Sequence, residues 1–191
     1  MTRVVLCATG AMTRDPDRTD HAEIVRHGPD LDVPGFELGV FSAWYCHLDD
    51  VVTDLRECGL SFPVVHAEKA IGAGLGSETD DEAEDALARL EINCRMATAL
   101  GARTLVAHLW ERPTGDTSIE RNLAHLPACL DTPAAYNVIL AVETLPGDVG
   151  TPLANIRMAL ERDPLSCRSR LRVPRPARPT RGECRRRLAL G

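Results

Sequence analysis

The sequence predicts an α/β fold built on a parallel sheet, and three observations carry that reading. Short β-branched and aliphatic runs recur in NVILAVETLP (Asn137–Pro146), FPVVH (Phe62–His66) and TLVAH (Thr104–His108). Each is too short for a helix and lacks polar alternation, so each reads as a strand buried on both faces, the kind found in parallel sheets. Between the runs lie stretches with helical spacing, which gives the order β-α-β-α-β-α-β-α-β-α and five βα units.

Taken in order, Arg3–Thr9 is a first strand, Asp20–His27 a weak helical segment, and Gly35–Phe41 a second strand with Glu37 inside it. Leu48, Val51, Val52, Leu55 and Cys58 fall on one helical face, which Gly59 ends as a glycine just past a helix should. Ser61–Ala67 is the third strand. The following IGAGLGSE has Ser77 where a G-x-G-x-x-G fingerprint would need glycine, so it reads as a flexible loop over a site. Thr79-x-x-Glu82 has the form of a capping box, and Ala83, Leu87, Leu90, Cys94, Ala97 and Leu100 continue as an apolar stripe up to Gly101. The acids crowding its first turns match the helix dipole and need no metal to explain them. Strand four ends in His108. Thr117-x-x-Glu120 opens a helix that Pro127 and Pro133 should shorten or kink. Strand five ends in Glu143. Thr151 then caps a helix with Pro152 in its first turn and Leu153, Ile156 and Leu160 facing inward.

The net charge of −6 conceals two unlike parts. Residues 164–191 hold nine arginines and one acid, Glu183, whereas residues 1–163 carry a net −14. The arginine- and proline-rich end has no strand or helix period and reads as a disordered tail. Arg, Pro, Ala, Gly and Cys are also what GC-rich codons yield out of frame. Residues 1–163 are read as the folded domain. The seven cysteines are scattered and contain no C-x-x-C, which fits reduced thiols in the cytoplasm better than disulfides or a zinc finger. No apolar run is long enough to span a bilayer, and no cleavage site follows Met1–Ala8, so no membrane span or signal peptide is expected.

Three strands deliver His66, His108 and Glu143 to one edge of the predicted sheet. Parallel folds build their sites at the carboxyl ends of strands, so these three are the candidate catalytic residues. Read alone, each histidine is as readily a hydrogen-bonded group at a strand end. Glu143 is harder to set aside, because a carboxylate ending an apolar strand must be paired or solvated. Lys69 is assigned to an anionic group of the substrate, with a solvated loop lysine as the alternative, and Trp110 is assigned to substrate.

FPVVHAEKAIG, ALGARTLVAHLW, NLAHL and NVILAVETLP, in that order and spacing, resemble the xylose-isomerase-like (β/α)8 barrels over residues 35–163. That superfamily includes sugar-phosphate isomerases and epimerases and the metal-dependent AP endonucleases. The resemblance implies a TIM-type barrel, here truncated after five βα units. It implies a divalent metal (Mn²⁺, Mg²⁺ or Zn²⁺) with Glu143 as a ligand, and His66 and His108 lining the pocket. The implied activity is metal-assisted isomerisation or epimerisation of a small sugar or polyol, with the ligands that the family draws from later strands unmatched. An AP-endonuclease-like zinc phosphodiesterase is the rival, disfavoured because an acidic body does not suit nucleic acid. A non-catalytic half-barrel that binds a partner is the third reading. Five units leave open sheet edges and unfilled inward positions (Val5, Val65, Val106 and Leu140), from which self-association is expected.

Overall fold

Period-two alternation fixes how the sheet sits. The computed structural model describes residues 5–13, 20–111 and 115–162. Five parallel strands lie in sequential order: β1 (Cys7–Ala8), β2 (Phe36–Gly39), β3 (Val64–His66), β4 (Thr104–Ala107) and β5 (Ile139–Val142). Leu38, Val65, Leu105 and Leu140 stand in register across β2 to β5, each at most 1% exposed. The neighbouring row, Glu37, Val64, Thr104 and Ile139, is only partly buried.

The buried row packs under helices. These are α1 (Ala22–His27), α2 (Leu48–Glu57), α3 (Ile71–Leu75), α4 (Asp80–Ala99), α5 (Ile119–Ala124), α6 (Leu126–Ala135) and α7 (Pro152–Arg162). Val51 and Leu55 of α2, Leu90, Cys94 and Ala97 of α4, and Cys129 and Leu130 of α6 share one core with the strand leucines. Each such buried side chain contributes about 1.5–3 kcal/mol. Strand order that never reverses marks a sheet wound in one direction, as in a barrel wall; a doubly wound sheet reverses at a switch point. The fold is therefore α/β with a parallel, barrel-type sheet.

Several sequence expectations need correction. The strands are buried on one face rather than both. Val65 and Leu140 lie on the helix side and Val106 on the other, because an odd spacing in register places residues on opposite faces. Val5 precedes β1 and is 77% exposed. Leu153 is likewise exposed, since Asn155, Ile156 and Ala159 form the buried side of α7. Thr79 stands at the N-cap of α4 but makes no cap bond. Ser77 takes over: its hydroxyl bonds the Glu82 carboxylate and accepts from the Thr79 backbone N–H at 3.1 Å.

Other expectations hold. Gly59 and Gly101 follow α2 and α4 with φ of +74° and +75°, a backbone state that glycine adopts without a Cβ penalty. The Thr151 hydroxyl accepts from the Ala154 N–H at 3.2 Å, so α7 is capped as predicted. The stretch after Thr117 breaks at His125 into α5 and α6, with Pro127 in the first turn of α6, where its missing N–H costs no bond. Pro133 is accommodated inside α6. The arginine-rich tail lies outside the described residues. Among those described, the outer edges of β1 and β5 pair with no strand, five cysteines are free, and no helix is long and apolar enough to cross a membrane.

The stretch predicted as a flexible loop over a site is the helix α3, with Ile71, Gly72 and Leu75 buried. Its glycines serve packing: a Cβ on Gly72 would lie 2.9 Å from the Trp110 carbonyl carbon and 3.0 Å from the His108 carbonyl oxygen. Backbone atoms cannot step aside as a side-chain tip can. Gly72→Ala, a substitution that raises helix propensity, is expected to destabilise the fold by about 1–3 kcal/mol. A thermal melt equal to or above that of the parent chain would show that α3 is loosely seated.

Candidate functional site

The same alternation aims the candidate residues. Val106 and Ala141 occupy the partly buried inner row, so two residues further on His108 and Glu143 return to that face. His66 reaches it directly, in register with Val106. Their backbones remain tied into the ladder. The Ala67 N–H donates to the Val106 carbonyl at 2.8 Å, the Val40 N–H to the His66 carbonyl at 3.0 Å, and the Glu143 N–H to the Ala107 carbonyl at 3.0 Å.

The three side chains converge as predicted. Oε2 of Glu143 lies 2.9 Å from His66 Nε2 and 2.8 Å from His108 Nε2. The imidazoles meet edge to face, with centroids 5.0 Å apart. The His66 and His108 side chains are 12% and 9% exposed, and Glu143 is 43% exposed. Donor atoms of all three lie within 4.8 Å of one another, a group that can hold a metal ion.

Proton bookkeeping on His66 is informative. Its Nδ1 lies 2.8 Å from the Ala67 carbonyl, which only accepts, so Nδ1 carries the proton. A neutral ring then turns the bare lone pair of Nε2 toward a carboxylate oxygen that also only accepts. Either a second ring proton or a cation held by both groups reconciles that contact. Two imidazole nitrogens and a carboxylate oxygen form a donor set that suits Zn²⁺ or Mn²⁺, whereas Mg²⁺ prefers oxygen throughout. The residues present therefore fit a divalent cation.

Burial raises the Glu143 carboxyl, but the hydrogen bonds from His66 and His108 outweigh it and hold the group below its ordinary range. Burial lowers His108 below its ordinary 6.5, the Glu143 hydrogen bond pulls it part of the way back, and His66 and Lys69 lower it further. The cavity over the cluster, about 460 Å³, is lined by Glu37, Lys69, Val106, Ala141, Thr144 and Leu145 together with the three residues themselves. Lys69 lines the groove. Trp110 does not: it is 0% exposed, its backbone rests against Gly72, and it lines neither this cavity nor the adjoining one. Its assignment to substrate is replaced by a place in the core.

Two polar locks beside the groove escaped the sequence. Glu68 accepts from Arg89 Nη1 at 3.0 Å and from the Ala70 N–H at 2.9 Å, while its own N–H donates to Asn93 Oδ1 at 3.1 Å. The loop bearing Lys69 is thereby bolted to α4. Asn93 was findable, as a polar residue on the inner side of an apolar stripe. Asp116, 0% exposed, accepts from the N–H groups of Asp148 (2.8 Å), Val149 (3.3 Å) and Gly150 (2.8 Å) and from the Asn155 amide (3.3 Å). Burial opposes its ionisation, yet these donors hold its carboxyl below the usual range. A side chain on Gly147 would overlap this carboxylate, so glycine is required there. The segment following Glu143 is tied down in this way, and nothing in the pattern around Asp116 announces it.

The sequence matches no protein-family model and no curated protein. Solved structures do resemble the fold. A 3-keto-D-glucoside 4-epimerase from E. coli superposes with a TM-score of 0.64 at 14% identity, covering 90% of this chain and 67% of that one. The chain has the fold of the xylose-isomerase-like TIM barrels. A D-allulose 3-epimerase from Methylomonas sp. gives 0.65 at 12% identity over 89% of this chain and 61% of that one. A xylose isomerase-like TIM barrel protein from Mycobacterium smegmatis, in complex with magnesium, gives 0.56 at 14% identity over 82% and 61%. The chain thus spans roughly two thirds of the length of these barrels, as a partial barrel. At such identities the likeness is one of fold.

The titration of His108 follows from its surroundings. Unfolded, it takes up a proton near 6.5; folded, it does so at lower pH, so in between the unfolded chain binds more protons and stability falls as pH drops. Glu143 has a lowered folded value, and its contribution is lost as pH falls through that value. Histidine NMR titration is expected to place His108 below 6.5, and lower still in Glu143→Gln, which removes the interaction that raises it. A His108 midpoint that rises in Glu143→Gln would contradict the assigned contact.

Proposed function

We propose that the chain provides the metal-binding wall of a sugar isomerase or epimerase, acting on a small sugar or polyol. His66, His108 and Glu143 would hold a divalent cation at the carboxyl ends of β3, β4 and β5. The observation that carries this reading is the convergence of His66, His108 and Glu143, whose nitrogen and carboxylate oxygen atoms lie within 4.8 Å of one another. When bound, the cation would act as a Lewis acid toward a carbonyl or an adjacent hydroxyl pair.

The protein's own residues do the rest. The three side chains border the groove, so that substrate oxygens would reach a cation held there. His108, kept neutral by burial, adds no positive charge there. Glu143 has a partly exposed carboxylate, able to take a proton from a carbon or hydroxyl brought within hydrogen-bond reach. Lys69 stands at the rim as a cation for an oxygen of the substrate. The Ala67 carbonyl, on a residue whose N–H is tied to the Val106 carbonyl, sets the His66 ring and its tautomer, as partners of ligating histidines do. Fold likeness to epimerases that act on sugars supports the substrate class. A zinc phosphodiesterase acting on DNA fits less well, because residues 1–163 carry a net −14.

Calorimetry with Mn²⁺ and Zn²⁺ tests the site. One ion per chain is expected, with affinity falling at least about a hundredfold in Glu143→Ala and in His66→Ala. Binding at unchanged affinity in either variant, or none in the parent chain, would refute the metal reading.

A further inference from the structure

The groove continues beyond the histidine–glutamate cluster. A second cavity of about 420 Å³ lies over the ends of β1, β2 and β3, lined by Gly10, Gly39, Phe41 and Ser42 among others. It shares Glu37, His66 and Lys69 with the first, so the two form one trough with Glu37 and Lys69 at the junction.

Glu37 belongs to the inner row of the sheet, one pleat below the level of His66. At that level β2 carries Gly39, paired with His66, and its missing side chain leaves the carboxylate beneath uncovered. Packing does not demand glycine there: a Cβ would meet Gly10 and Thr9 only at 3.9 Å, ordinary contact. The uncovered carboxylate takes no hydrogen bond or ion pair from the described residues, although it is partly buried. Such a group is costly unless something donates to it. Among the described residues Lys69, exposed at the rim, is the only lysine or arginine lining either part. Glu68, also in the lining, is already engaged by Arg89 and Ala70.

Resting on the function proposed above, we infer that this second cavity receives the end of the substrate remote from the cation, and that it selects a neutral polyhydroxy compound over its phosphate ester. Sugar hydroxyls donate, and the two oxygens of Glu37 accept. A phosphate dianion only accepts and would face Glu37, with Lys69 the one lysine or arginine of the described lining to balance it. Sites for phosphate gather arginine forks or several converging donors, which the described lining lacks.

Ligand-observed NMR titration of the zinc-loaded chain, with D-fructose and D-fructose 6-phosphate as probes, tests this. The parent chain is expected to bind the free sugar at least about tenfold more tightly than the ester. Glu37→Gln, nearly the same shape, should loosen the free sugar and narrow the difference, and Glu37→Lys should reverse the order. Zinc content measured by atomic absorption, and the thermal melt, should be unchanged in both variants. An ester bound as tightly as the sugar by the parent chain, or a preference untouched in Glu37→Gln, overturns the selection while leaving the proposed function standing. Zinc lost from Glu37→Gln overturns it by making Glu37 a ligand. If the loaded parent chain binds neither probe, the proposed function falls and the inference with it.

Discussion

Register in the parallel sheet is the constraint on which the rest of the structure depends. Leu38, Val65, Leu105 and Leu140 are locked side by side because all four bury the same face under the helices. A slip of one residue in any strand would drive its apolar row out from under them and turn its polar row inward. With the row fixed, the strand ends follow. His66 lies level with Val106, and His108 and Glu143 emerge one pleat higher on the same face. The site is thus a consequence of hydrophobic burial on the opposite side of the sheet. No interaction among the three side chains is needed to bring them together, and their mutual contacts act only on a geometry already set.

What burial does not fix, buried polar groups do. The segments that leave the sheet at the site would be free without Glu68 and Asp116. Each of these carboxylates is almost or wholly withdrawn from water: Glu68 is satisfied by the Ala70 N–H and Arg89, and Asp116 by three backbone N–H groups and the Asn155 amide. Removing Asp116 would leave four donors unpaired and removing Glu68 two, at about 1–3 kcal/mol for each that stays buried. The two therefore bracket the groove: one fixes the loop after β3 that carries Lys69, and the other fixes the segment after Glu143. Glu37 and Glu143 form the contrast, as carboxylates left open to the groove and available to a ligand.

The sequence made the strand ends legible because apolar runs that stop abruptly at His66, His108 and Glu143 need no tertiary knowledge to be noticed. It placed α2 and α4 through their stripes and their terminal glycines. It misread α3, since three glycines in IGAGLG suggest a loop unless the backbone of Trp110 is known to press against Gly72. It misplaced Val65 and Leu140, because an unbroken apolar run does not say which face the helices will cover. Trp110 is assigned to substrate from the sequence, yet the chain turns it into the core. Asp116 had no local signature at all. Its four donors come from residues 148 to 155, more than thirty positions away.

One parallel edge brings together two histidines and a carboxylate, the proposed cation site. Anomalous diffraction from crystals grown with Mn²⁺ tests it most directly. A single strong peak is expected at coordination distance from His66 Nε2, His108 Nε2 and the Glu143 carboxylate, with the His66 Nδ1 bond to the Ala67 carbonyl intact. A peak bounded by other residues, or three side chains splayed apart around an empty edge, would contradict it.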